Sequence, residues 1–387
     1  MKVLMINVVC GIRSTGRICT DLATALEKQG HQVKIVYGRE NVPEQFQKYA
    51  VRIGNDLDVK LHGVKARLLD GAGFGSKAVT EKFIEWVKKY DPDVIHLHNL
   101  HGYYINVEVL FKYLKTCGKR IIWTLHDCWA FTGHCTYFDY VGSKKWKNGC
   151  MKCPQKKEYP ISNGLDMSKQ HYALKRKLFT GIPNMALVTP SQWLADLVKK
   201  SYLRKYNTLV IHNGVDTTVF KPTNSNIREK YHCENKKIVL GVAAIWDKRK
   251  GLDTFLKLSK RLDQSYQIIL VGLTQEQIQK VPKNIIGIER TDSVQELVEL
   301  YSAADVFVNP TLEDNYPTTN LEAIACGTPV ITYNTGGSPE SARMYGLDIK
   351  KGDIEQLKRN IQNVKQIKKK TVEIDCAETV RQYVDLY

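Results

Sequence analysis

No apolar run in this 387-residue chain approaches the roughly 18 residues that a membrane-spanning helix needs. The apolar stretch at residues 3–9 is interrupted by Asn7 and is too short for the core of a signal peptide, so it reads as a first buried strand. Without an export signal the expected compartment is the cytoplasm, where the 10 cysteines would be reduced thiols or metal ligands rather than disulfides. Low-complexity tracts and short-period repeats are also lacking, which sets aside a solenoid or a disordered tail. The glycines after the first strand do not complete a dinucleotide fingerprint, because no suitably placed acid follows the second strand.

Acidic residues are scarce in one half only. Residues 1–200 hold 31 Lys and Arg against 17 Asp and Glu, whereas residues 201–387 hold 26 against 23, so the formal charge of +17 sits mainly in the first half. Such a bias attracts nucleic acid, an anionic membrane surface or phosphorylated substrates. No nucleic-acid recognition motif accompanies it, so nucleic acid is not an expected partner.

The length favours two domains of ordinary size. A strand over residues 2–9, a glycine-containing turn, a helix and a strand over residues 33–37 open the chain. Helix 80–89, strand 94–98, helix 107–114 and strand 121–125 repeat the alternation. The pattern restarts at residues 209–212, beyond which strands near 238–242, 267–271, 285–288, 306–309 and 329–333 alternate with helices near 253–262, 294–303 and 317–325. The expected class is α/β, with two Rossmann-like domains whose parallel sheets face each other across a ligand-binding cleft. We place the domains at 1–205 and 206–370, with a helical tail at 371–387 that returns to the first domain and an inserted loop region at 128–160.

In the stretch from Asn309 through Asp314-Asn315-Tyr316-Pro317-Thr318 to Glu322, the spacing brings two carboxylates, Asp314 and Glu322, towards one site beside a helix N-terminus. Carboxylates accept hydrogen bonds from hydroxyls and a helix start offers N–H groups to phosphate, a combination that suits a sugar, a ribose and a diphosphate. Followed by Cys326-Gly327-Thr328-Pro329-Val330 and Gly336-Gly337-Ser338-Pro339-Glu340, the segment resembles the signature of the retaining glycosyltransferase family 4. Further matches are Gly30-His31, Leu125-His126-Asp127, Thr189-Pro190-Ser191, Asn213-Gly214-Val215-Asp216 and Lys250-Gly251.

The resemblance implies the GT-B architecture and transfer of a hexose from a nucleoside diphosphate sugar, with no cofactor required. It gives Asp314, where the family usually has Glu, a contact to the donor sugar, and Glu322 the donor ribose. Lys250 matches a Lys that neutralises the departing diphosphate, and Arg249 stands in for the family Arg. Asn315, Tyr316 and Pro317 replace a Gly-rich run; Pro317 has no N–H to donate, so contacts fall to Tyr316 and Thr318. His126 matches a His near the reacting centre, and Gly16 becomes a contact to donor phosphate or acceptor. His96, His98 and His101 would line the acceptor side. Epimerases and phosphorylases of the same architecture are the alternative class.

Cys128, Cys135, Cys150 and Cys153 lie in the insertion, and four thiols with one C-x-x-C can form a structural zinc site. The insertion is similar to those of bacterial capsular and exopolysaccharide glycosyltransferases of the colanic-acid type. That similarity implies a lipid-linked oligosaccharide acceptor and peripheral association with the inner face of the cytoplasmic membrane. Trp129, Tyr137, Tyr140 and Trp146 are the aromatic residues expected at that interface.

Overall fold

The computed structural model describes residues 1–370 and 374–387. The chain divides into two compact units, Met1–His212 with Thr379–Tyr387, and Asn213–Glu378.

Unit 1 runs β1 (Lys2–Ile6), α1 (Arg13–Lys28), β2 (Gln32–Tyr37), β3 (Ala50–Arg52), α2 (Asp56–Leu69), α3 (Lys77–Tyr90), β4 (Val94–Leu97), α4 (Val107–Leu114), β5 (Arg120–Thr124), α5 (Ser168–Phe179), β6 (Met185–Thr189), α6 (Gln192–Lys199) and β7 (Thr208–Val210). Its seven parallel strands lie in the order β3-β2-β1-β4-β5-β6-β7. Val3 to Ile6 of β1 and all of β6 are buried, as expected of parallel strands covered by helices on both faces. Expected to open the second domain, β7 instead pairs with β6, with Leu187 opposite Thr208, because its edge completes the first sheet. The boundary therefore falls after His212 rather than at 205.

Unit 2 runs α7 (Ile227–Lys230), β8 (Lys237–Val242), α8 (Leu252–Leu258), β9 (Tyr266–Val271), α9 (Gln275–Lys280), β10 (Ile285–Ile288), α10 (Val294–Ala303), β11 (Val306–Asn309), α11 (Thr318–Ala325), β12 (Val330–Tyr333), α12 (Ser338–Ala342), β13 (Gly346–Ile349) and α13 (Ile354–Gln362). Its parallel strands are ordered β10-β9-β8-β11-β12-β13. Of the expected tail, residues 371–373 lie outside the described residues. Helix α14 (Cys376–Val384) follows, and Tyr387 beyond it bonds His96 Nδ1 of unit 1 at 2.6 Å.

In both sheets the strand order reverses beside the first strand, between β1 and β4 and between β8 and β11. The crevice at the carboxyl ends of such strands is where open α/β sheets bind ligands.

The insertion is packed rather than loose. Trp146 stacks on Phe138 with centroids 5.0 Å apart, and Phe131 lies 5.5 Å from it. Trp129 and Trp146 are buried in the core of unit 1, so neither is at the surface as expected of membrane contacts. Aromatic rings satisfy a core as readily as an interface, and here the core takes them. Tyr140 is exposed.

Candidate active site

At the β8/β11 reversal of unit 2, Lys250 Nζ donates to Asp314 Oδ2 at 2.6 Å. Lys250 ends the loop after β8, where Asp247 caps it by accepting from Lys250 N at 3.0 Å. Asp314 lies in the loop after β11, and its Oδ1 accepts from Asn315 N at 3.0 Å. Both side chains are largely buried, so the pair is a fixed element of the site rather than a surface contact.

Three loops are tied together around this pair. Arg249 O accepts from Leu312 N at 2.7 Å, and Thr311 O accepts from Thr335 Oγ1 at 2.7 Å. Gly337 N donates to Asp314 O at 3.1 Å. Gly251 takes φ +80°, and a Cβ there would lie 2.2 Å from Pro310 O; at Gly336, φ +57°, a Cβ would lie 1.8 Å from Asp314 O. The glycines of both motifs are therefore required by close backbone approach to the Asp314 loop. Arg249 lies beside Asp247, with Nε 3.8 Å from Oδ2.

Pro317 precedes α11 with ψ 121°, and no side chain caps this helix start, where Thr318 is half-buried. Asn315 is buried. Tyr316, expected to contact the donor, turns its ring into the apolar core of unit 2 and supports the loop from beneath. Burial there raises its pKa. Glu322 is 4 % exposed and accepts from Tyr301 Oη at 3.0 Å. Beneath them runs a buried polar network that the sequence did not reveal. Asn309 Nδ2 donates to Asn320 Oδ1 at 2.9 Å, Asn320 Nδ2 to Ser341 Oγ at 2.9 Å, and Thr332 pairs with Ser338 at 2.7 Å. A satisfied buried network of this kind fixes α11 against α12.

At the β1/β4 reversal of unit 1, Asn99 N donates to Asn7 Oδ1 at 3.3 Å. Gly16 lies inside α1, buried, where a Cβ would meet Gly11 N at 3.2 Å and Val9 Cγ2 at 3.1 Å. Its carbonyl accepts from Gly11 N at 3.2 Å, so its small size brings α1 against the loop after β1.

His126, after β5, bonds His98, after β4: Nε2 to Nδ1, 3.0 Å. Burial pushes His126 down to about 4, against the opposing pull of Asp127, and burial likewise holds His98 well below the ordinary imidazole range. Both rings are neutral near pH 7, so one must donate. The other nitrogen of His98, Nε2, is buried without a partner. A buried lone pair is less costly to leave unmatched than a buried N–H, which assigns the proton to His98 Nδ1 and leaves His126 with an N–H at Nδ1. His96, expected to line the acceptor side, is instead fully buried between Thr124 Oγ1 at 2.8 Å and Tyr387 Oη at 2.6 Å. His101 bonds Asp127 Oδ2 at 2.8 Å and Tyr159 Oη at 3.1 Å, a relay whose only sequence signal was Asp127 beside His126.

Among the described residues, no group of three or more His, Cys, Asp and Glu side chains could hold a metal ion. The four thiols of the insertion, which can form a structural zinc site by their spacing, make no such group among the described residues. Cys128 is buried in the apolar core, and the hydrogen bond from Cys135 lowers the pKa of the Cys153 thiol. Ser143 lines the same small pocket as Cys135, Cys150 and Cys153.

Comparison with known proteins follows the two units. Residues 236–366 match the model described as "Glycosyl transferases group 1", and residues 15–219 match "Glycosyltransferase Family 4". The putative colanic acid biosynthesis glycosyl transferase WcaC of Escherichia coli K12 is 25% identical, covering 89% of this chain and 86% of its own. The O-antigen chain mannosyltransferase RfbU of Salmonella typhimurium is 26% identical over 47% of this chain and 51% of its own. Sucrose-phosphate synthase of Thermosynechococcus elongatus superposes with a TM-score of 0.71 at 18% identity, covering 100% of this chain and 98% of that one. HepE of Anabaena, solved in complex with UDP-glucose, superposes with a TM-score of 0.66 at 14% identity, covering 100% and 98%. The likeness to these structures establishes the GT-B fold, and the match of residues 15–219, more than half of the chain, shows that this protein belongs to glycosyltransferase family 4.

Proposed function

We propose that this enzyme is a retaining hexosyltransferase that takes a hexose from a nucleoside diphosphate sugar and delivers it to a hydroxyl of a lipid-linked oligosaccharide in surface polysaccharide synthesis. The observation that carries the reading is the Lys250–Asp314 pair at the strand-order reversal of unit 2, beside the uncapped start of α11. Relatives named for colanic acid and O-antigen synthesis support the pathway class, and the UDP-glucose complex of HepE supports the donor class.

In this reading the ammonium of Lys250, with Arg249 and the first N–H groups of α11 near Thr318, stabilises charge on the departing diphosphate as the bond from the anomeric carbon to its oxygen breaks. The acceptor oxygen bonds to the same face of that carbon, and its proton passes to the departing phosphate oxygen. Asp314 accepts from sugar hydroxyls, and Glu322, exchanging Tyr301 for the ligand, accepts from the ribose. His126, a neutral donor in unit 1, offers its N–H to a substrate hydroxyl. No cofactor is called for, because the positive charge comes from the protein.

Thermal-shift screening against UDP, GDP and their common hexose conjugates tests the donor, since a ligand held by the native state alone raises the melting temperature. Product analysis with the stabilising donor then tests the reaction. A new glycosidic bond with the donor's anomeric configuration is expected; inversion, epimerised sugar or phosphorolysis would overturn the reading.

A further inference from the structure

Helix α2 carries its apolar residues on the wrong side for a core helix. Leu57, Leu61, Val64 and Leu68 are 63%, 61%, 52% and 57% exposed. Their spacing of four, three and four places them within an arc of roughly 60° on one face. The opposite face buries only small or polar groups, His62, Gly63 and Ala66. The stripe continues onto the insertion side: Leu165 N donates to Leu68 O at 2.9 Å, and Leu165 and Ile161 are themselves exposed. At Gly164 a Cβ would lie 2.0 Å from Leu68 O, so the two segments meet backbone to backbone. Buried Asp70, which caps α2, fixes this surface by accepting from His134 Nδ1 at 2.5 Å and Met167 N at 2.9 Å.

We propose that this face of α2 is the seat on which the enzyme binds the surface of an anionic lipid bilayer. Lys60 and Arg67 flank the stripe on one side and Lys65 on the other, all exposed. The carboxylates of α2 are withdrawn to its first turn, where Asp58 closes the capping box and Asp56 pairs with Arg52. Residues 1–200 carry most of the basic excess, which supplies the charge complementarity to anionic headgroups. Aliphatic side chains bordered by long basic ones suit an interfacial helix, whose lysines extend to the headgroups while the leucines enter the acyl boundary. A protein partner fits less well, since lysine is depleted at protein interfaces and the exposed apolar side chains of α2 itself are all aliphatic. The proposal gives a location to the membrane association expected of a lipid-linked acceptor, but it stands on α2 and does not require the donor reading.

The test is co-sedimentation of the full chain with vesicles of one part phosphatidylglycerol to two parts phosphatidylethanolamine, containing no acceptor. Wild-type protein is expected to pellet with them, to be released by salt, and to ignore vesicles of phosphatidylcholine alone. The double variant Leu61→Gln/Leu68→Gln should bind about tenfold more weakly or less, with an unchanged melting temperature because both side chains already face solvent. Its donor-induced thermal shift should match that of wild type, so a failure here is distinguishable from a failure of the donor reading. Wild-type protein left in the supernatant, a double variant that pellets as wild type does, or a concentration-dependent dimer abolished by the same pair would overturn the proposal. The last outcome would assign the face to a second copy of the chain.

Discussion

Substituting Gly336 by alanine adds one methyl group at a point where backbone meets backbone. Its Cβ would start 1.8 Å from Asp314 O, and ordinary contact begins at 3.4 Å, so the Asp314 loop must retreat by about 1.6 Å. The obstacle is a carbonyl held in the chain, not the end of a flexible side chain. The retreat breaks the Gly337 N to Asp314 O bond of 3.1 Å and carries Asp314 away from Lys250. A displacement of about 1 Å in a reacting group can cost roughly 100-fold in rate, so kcat/KM for the donor should fall by at least that factor. The φ of +57° adds strain of about 1 kcal/mol, which leaves a folded protein within the usual stability margin. Gly30→Ala is the control: its φ is +82°, but nothing lies within 4 Å of the new Cβ, so it carries the strain without the displacement. Turnover of both variants, with urea unfolding to confirm the fold, separates the two effects. If Gly336→Ala keeps wild-type turnover while Asp314→Asn is impaired, the reasoning that ties the Gly336 loop to the Asp314 position is refuted.

Lys250→Ala should lower turnover by about 100- to 1000-fold while changing donor affinity far less, as expected of a group acting on the leaving diphosphate. A raised KM with unchanged kcat would remove it from that role. Lys175 is buried, with Nζ 3.4 Å above the Trp129 ring and bonded to Trp129 O at 2.9 Å, and burial pushes its pKa down to about 7. The unfolded chain keeps that proton up to about 10.5, so this group makes stability rise from pH 7 towards 10.5. Urea midpoints of wild type should climb over that window, and those of Lys175→Met should climb less; parallel curves would contradict the burial argument. At the acid end, burial depresses His62, His126 and His171 to about 4 and His96 to about 3. The unfolded chain takes up these protons first, so stability present above pH 6.5 should be lost as pH falls towards 4. A midpoint that does not fall across that range would argue against neutral buried rings.

The alternation in unit 2 was legible because parallel strands such as Lys237–Val242 and Tyr266–Val271 are nearly continuous apolar runs. Helix α2 was not, since Asp56 to His62 alternates polar and apolar residues with the period of a strand, and its leucines face outward. Strand β7 was misassigned because its pairing with β6 is non-local, and only the assembled sheet shows which unit it completes. Asp314 and Lys250 were each identified from their motifs, yet 64 residues separate them and their direct bond needed the fold. Aromatic side chains were the least legible: Tyr316, Trp129 and Trp146 suit a ligand, a membrane or a core equally, and tertiary packing chose the core. For the four thiols, spacing suggested convergence, but Cys128 points into apolar packing and Ser143 stands beside the remaining three.

The central claim, that the loops after β8 and β11 hold the diphosphate of the donor, is tested most directly by amide hydrogen exchange with and without the nucleoside diphosphate that best stabilises the protein. The account predicts slowed exchange in residues 247–251, 312–316 and the first turn of α11, and loss of that protection in Lys250→Ala. Protection confined to unit 1, or unchanged exchange across the Asp314 loop at saturating ligand, would contradict it.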